Sequence, residues 1–136
     1  MWTNSQGGSG TLTYTPAADF NGDSWPDIFY VPFPGAAGSW FENPQGKEGH
    51  WKAHLALKAV DNESPMFNDL TGDGKPEIIC NSGGYLGYAG PDWSDATKPW
   101  TWHSLSPKGT WHKYTHGIGF GDINGDGRED LLYGNG

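Results

Sequence analysis

A chain of 136 residues suits one compact domain, and with 15% aromatics, eight of them Trp, it can bury a core and is not disordered. A net charge of −8 excludes nucleic acid as a partner, because phosphate binding needs a cationic face. No apolar run of roughly 18 residues is present to span a membrane, and the single Cys80 excludes an intrachain disulfide.

Taken in chain order, the sequence reads as short strands separated by turns. Met1 leads directly into polar, Gly-rich residues; this reads as an expression start with no signal peptide. Met1-Trp2-Thr3-Asn4 and Thr11-Leu12-Thr13-Tyr14-Thr15 are expected strands, joined by the linker-like turn Gly7-Gly8-Ser9-Gly10. Pro16-Ala17-Ala18 precedes an acidic loop, Asp19 to Asp27, and the strand Asp27–Val31 follows it. Ser39–Asn43 and Gly49–Leu55 are the next two strands. The order then repeats: Pro65-Met66-Phe67, the loop Asp69 to Glu77, and strands at Glu77–Cys80, Tyr85–Tyr88 and Pro99–Leu105. A third round has Ile118-Gly119-Phe120, the loop Asp122 to Asp130 and the strand Asp130–Tyr133. No long helical period occurs, so the chain is all-β.

The loops begin at residues 19, 69 and 122, roughly the spacing of four-stranded propeller blades. The expected architecture is β-propeller blades of four antiparallel strands, three per chain, in one domain over 1–136. Blade one covers 16–64 and blade two 65–115; residues 116–136 give the inner strands of a split blade, and 1–15 its outer strands. Three blades are too few for a ring, since propellers have four to eight. A half-propeller completing a six-bladed ring as a head-to-tail homodimer is therefore expected. A fragment of a longer propeller and an engineered half-propeller are the alternatives.

Each loop sets oxygen ligands at positions one, three, five and nine, with the position-seven carbonyl as a fifth donor. The first loop offers Asp19, Asn21, Asp23, Trp25 (carbonyl) and Asp27; the second offers Asp69, Thr71, Asp73, Lys75 (carbonyl) and Glu77. The third offers Asp122, Asn124, Asp126, Arg128 (carbonyl) and Asp130. Several hard oxygens of mixed charge suit Ca²⁺, up to three ions per chain. The start resembles an EF-hand loop, but the last carboxylate falls at position nine and no helices flank it. Completeness ranks the third loop first and the second last, because the second has Thr71 for Asn and ends in Glu77. Positions one, five and nine hold nine of the 16 acidic residues, so much of the acidity is local ligand charge.

These motifs, with Phe120-Gly121 before the third loop, resemble the FG-GAP/VCBS repeats of integrin α-subunit-type propellers. The resemblance implies Ca²⁺ loops joining the first two strands of each blade and an extracellular, cell-surface or periplasmic location. The segments Trp40–Pro44 and His116–Asp122 resemble bacterial and fungal extracellular members more closely, among them lectins and sugar-modifying lyases or dehydratases.

Trp40, Trp51, Trp100 and Trp102 lie in strand-like alternation and are expected between blades, whereas Trp25, Trp93 and Trp111 lie in loops and are expected to be exposed. With His116, these three are the candidate ligand contacts. His54 and His103 occupy matching blade positions, as repeat inheritance gives, while His112 and His116 lie close together in sequence and could bind a transition metal or act as a base. No G-x-S-x-G, HExxH or Cys nucleophile motif appears. The preferred reading is a non-catalytic calcium-binding module that engages a glycan, a protein or itself. The alternative is the propeller domain of a polysaccharide-acting enzyme.

Overall fold

A computed structural model describes residues 16–111, 113 and 115–134. The strands expected within 1–15, and His112, lie outside the described residues. Among the described residues there are ten strands and no helix: β1 (Ala17–Ala18), β2 (Asp27–Tyr30), β3 (Ala36–Glu42), β4 (Lys52–Val60), β5 (Met66–Asn68), β6 (Glu77–Ser82), β7 (Tyr85–Gly90), β8 (Thr101–Ser104), β9 (Ile118–Gly121) and β10 (Asp130–Tyr133). They form two four-stranded antiparallel sheets, β1-β2-β3-β4 and β5-β6-β7-β8, and one pair, β9-β10. These are propeller-like blades, and each acidic loop joins the first two strands of its sheet.

Several strand ends differ from the sequence expectation, most consequentially in the fourth strand of each sheet. The fourth strand begins at Lys52 rather than Gly49 and runs on to Val60. Gly49 holds φ at 145°, outside strand geometry, while Ala56, Leu57 and Val60 are buried at the far end. Trp100 precedes β8 because its amide donates to the Ala56 carbonyl of the first sheet (2.9 Å).

Alternation along each strand sends successive side chains to opposite faces. One face of the first sheet carries Phe29, Trp40 and His54, and it packs on Ile78, Cys80, Ala89 and Trp100 of the second. Phe20, from the first acidic loop, fills the seam; its ring lies 5.4 Å from Phe67 and 5.2 Å from Trp100. Each such aromatic pair contributes about 0.5–1.5 kcal/mol beyond area burial. The Trp40 indole N–H donates across the seam to the Ala96 carbonyl (3.1 Å). Ile79, the neighbour of Ile78, points the other way and forms a second seam with Leu86 and Ile118, flanked by Phe120 and Leu131.

Trp40 and Trp100 are thus buried as expected and Trp102 packs half-buried against the first seam. Trp51 is half-buried and belongs to neither seam. The matching histidines do the same job in each sheet: His54 stacks on Trp40 at 4.3 Å and His103 on Tyr88 at 4.8 Å. Cys80 is free and fully buried, and burial pushes its thiol pKa far up.

Candidate metal centres

The three acidic loops fold alike because the position-one aspartate organises each turn from within. In the first, Asp19 Oδ1 accepts from the amides of Gly22 (2.7 Å) and Asp23 (3.0 Å), and its Oδ2 from Ser24 (2.8 Å). In the second, Asp69 accepts from Gly72, Asp73 and Gly74 at 2.7, 3.0 and 2.8 Å. In the third, Asp122 accepts from Gly125, Asp126 and Gly127 at the same three distances. The position-five carboxylate then takes the position-seven amide: Asp23 from Trp25, Asp73 from Lys75, Asp126 from Arg128, all within 2.8–2.9 Å. Closure of this kind needs left-handed backbone at positions four and six. Gly22, Gly72 and Gly125 supply the first with φ of 75–77°.

The position-nine carboxylate closes the loop on its own strand. Asp27 Oδ2 accepts from Phe20 N (3.0 Å) and its Oδ1 from Asn43 N (2.8 Å), which ties the loop to the end of β3. Glu77 Oε2 accepts from Leu70 N (2.9 Å), and the Thr71 hydroxyl donates to Oε1 (3.3 Å). Asp130 Oδ2 accepts from Ile123 N (3.0 Å). Asp27 and Glu77 are buried. Desolvation raises both carboxyl pKa values, and carboxylates within each loop push the same way. Asp23 shifts down instead, chiefly through a hydrogen bond from the Gln45 side chain (2.9 Å) and then from the Trp25 amide.

The second loop departs from its rank as least complete. Asp69, Asp73 and Glu77 each bring a carboxylate oxygen within 4.8 Å of the others, and among the described residues this is the one such group of three or more acidic, His or Cys side chains. The extra methylene of Glu77 supplies reach, and Thr71 steers it. Asp27 is instead drawn towards Asn43.

The donor set is all oxygen, with three carboxylates and one amide or hydroxyl per loop and no imidazole or thiolate. Two of the carboxylates are buried where ionisation is costly without a cation. That chemistry fits a hard divalent ion of the calcium kind.

The remaining candidates do not form one site. Trp25, 44% exposed, is position seven of the first loop, and its ring lies near Gly46. Trp93 is half-buried rather than exposed, with the Lys75 ammonium 5.3 Å from its ring centre. Trp111 and His116 both line a cleft of about 1190 Å³ between β7 and β10, and Trp111 is half-buried with Tyr133 edge-on at 4.8 Å. His116 Nε2 lies 3.0 Å from Glu63. Tyr88, Tyr133 and Glu129 also line this cleft and escaped sequence reading. They are far apart in the chain, and only the meeting of β7 with β10 unites them. Asn43 and Gln45 escaped it too, though the Asn-Pro after β3 is the signal that a turn there could reach back to the loop.

A fold of four-stranded blades whose first two strands are joined by acidic loops defines a β-propeller-like repeat module. The chain matches the FG-GAP-like repeat family twice, over residues 19–80 and again over 69–133, and belongs to that family. Neither the curated proteins nor the solved structures gave a match. No helix among the described residues is long and apolar enough to cross a membrane.

Proposed function

We propose that the chain is a non-catalytic, calcium-binding β-propeller module whose ions act as structural cement. It works outside the cell or at its surface, where it presents its loops to a glycan or protein or assembles with itself. One domain over 1–136, with blades at 16–64 and 65–115 and a split blade at 116–136, is the division this reading uses. The observation that carries it is the threefold recurrence of one hydrogen-bond pattern around one set of oxygen donors. In each loop the ion would be held by the side chains at positions one, three, five and nine and by the carbonyl of Trp25, Lys75 or Arg128. Bound, it supplies the positive charge that three neighbouring carboxylates lack. The protein residues already hold those groups in place, so binding should rigidify the turn rather than reshape it.

Calorimetric titration of calcium into metal-free protein tests this. Up to three sites per chain are expected, and Asp19→Asn, Asp69→Asn and Asp122→Asn should each remove one. A flat titration, together with an unchanged melting curve in excess EGTA, would overturn the reading.

The cleft holding Trp111, Tyr133, His116 and Glu129 favours a second reading, a module of a polysaccharide-acting enzyme. Product release from acidic polysaccharides would support it, and a glycan array read with and without calcium separates binding from turnover.

A further inference from the structure

Two of the three acidic loops carry the same dipeptide at positions three and four, Asn21-Gly22 and Asn124-Gly125, whereas the second has Thr71-Gly72. Asparagine before glycine is chemically labile. The glycine amide nitrogen attacks the asparagine Cγ, and glycine has no Cβ to crowd that approach. Ammonia leaves as a succinimide ring closes, and one water then opens the ring at either carbonyl. The product is aspartate or isoaspartate, the latter with its backbone running through the former side chain. Solvent water is the only co-reactant, and ammonia carries the displaced nitrogen away. Thr71 has no carboxamide and cannot take this route.

The folded loop opposes both halves of the reaction. Its attacking nitrogen is tied down: Gly22 N donates to Asp19 Oδ1 and Gly125 N to Asp122 Oδ1, each at 2.7 Å. The electrophilic carbon is held elsewhere. Asn21 Oδ1 accepts from the Asp23 amide (3.1 Å), and its Nδ2 donates to the Asp23 carboxylate (3.2 Å). Asn124 makes the same two bonds with Asp126, at 2.9 and 3.2 Å. Each side-chain amide is thus engaged by position five, not by the nitrogen of position four. Ring closure requires the turn to open first.

The two loops differ in what resists that opening. Residues beyond the first loop pin it. Asn43 donates to Asp27 through its amide and to the Pro26 carbonyl through Nδ2, both at 2.8 Å, and Gln45 Nε2 donates to Asp23 at 2.9 Å. Among the described residues, the side chains of the third loop bond only within that loop.

We propose that Asn21 and Asn124 are sites of spontaneous deamidation gated by loop opening, with Asn124 the faster of the two. Conversion to isoaspartate adds a backbone atom between positions three and four. The position-one carboxylate then loses its register with the amides it gathers. This modification is independent of any bound ion, and it alters the position-three donor whether or not a metal occupies the loop.

Prolonged warm incubation of the full chain at mildly alkaline pH tests the proposal, with EGTA in every sample. Peptide mass spectrometry follows the mass gain of amide-to-acid conversion at each site, in native buffer and in denaturant. The denatured chain sets the ungated rates. Both sites should be slower in the native chain by roughly tenfold or more, since opening must precede attack. Asn124 should stay ahead of Asn21. Asp122→Ala frees the Gly125 amide and should bring Asn124 towards its denatured rate. Asn21 should remain slow in that variant, which verifies that the rest of the chain is folded. If Asp122→Ala does not fold, hydrogen exchange in the unaltered chain takes its place, and the Gly125 amide should exchange faster than that of Gly22. Native rates equal to denatured ones, or Asn21 ahead of Asn124, overturn the proposal. So does a folded Asp122→Ala chain whose Asn124 is no faster, or a Gly22 amide that exchanges ahead of Gly125.

Discussion

Ser24 holds φ at 71°, a left-handed conformation in which a side chain crowds the backbone. Its counterparts Gly74 and Gly127 adopt 83° and 81° without that cost. Ser24→Gly should therefore raise stability by about 0.5–1 kcal/mol, the relief of strain exceeding the added freedom of the unfolded chain. Chemical denaturation of metal-free protein measures it, and a lower midpoint would refute the argument. Asp27 shows the opposite balance. Burial raises its pKa, so its ionised form is disfavoured, yet it is the acceptor for two backbone amides from separate segments. The grouping of the candidate donors was legible in the sequence because one turn brings positions one to nine together locally. Which loop closes its carboxylates most tightly was not, since that depends on Asn43 pulling on Asp27 and on the reach of Glu77.

The connection between β7 and β8, like the acidic loops, is held by hydrogen bonds from its own side chains. Asp92 accepts from the Ser94 hydroxyl (2.6 Å) and amide (3.0 Å) and from Lys98 Nζ (3.1 Å). Those bonds, the Ser94 hydroxyl first, lower its pKa to about 2. A lowered carboxyl favours the folded state above the ordinary pKa of 3.8, and that contribution disappears as pH falls through about 2. NMR titration of the Asp92 carboxyl should give a midpoint near that value, and Ser94→Ala should move it up towards the ordinary range. An ordinary midpoint in the unaltered chain would mean the turn is not closed in solution. The strands themselves were largely legible, because runs such as Asp130–Tyr133 are flanked by turn residues. The far half of β4 was missed, because a bulge in the pairing around Gly38 breaks simple alternation and burial against the second sheet extends the strand. The cleft of Trp111 and His116 was legible only as separate residues, since packing of the second sheet on the β9-β10 pair is what brings them to one place.

At the scale of the molecule, the blades lean on one another in one direction, and each seam depends on the blade after it. An ion held as proposed in one loop would therefore support more than its own turn, since the loop also carries Phe20 or Leu70 into a seam. Cys80 sits inside the first seam with no solvent contact and a thiol held protonated by its surroundings. An alkylating reagent needs both access and a thiolate, so the residue stays silent while the first two sheets remain together. It is thus a built-in clock for their separation. Labelling of native protein should proceed at the rate of that opening, becoming independent of reagent concentration once reagent outpaces reclosure, and saturating calcium should slow it. Rapid labelling insensitive to calcium would mean that the two sheets part without disturbing the loops. With one cysteine in the chain, every count of modified protein records a single event at a single place.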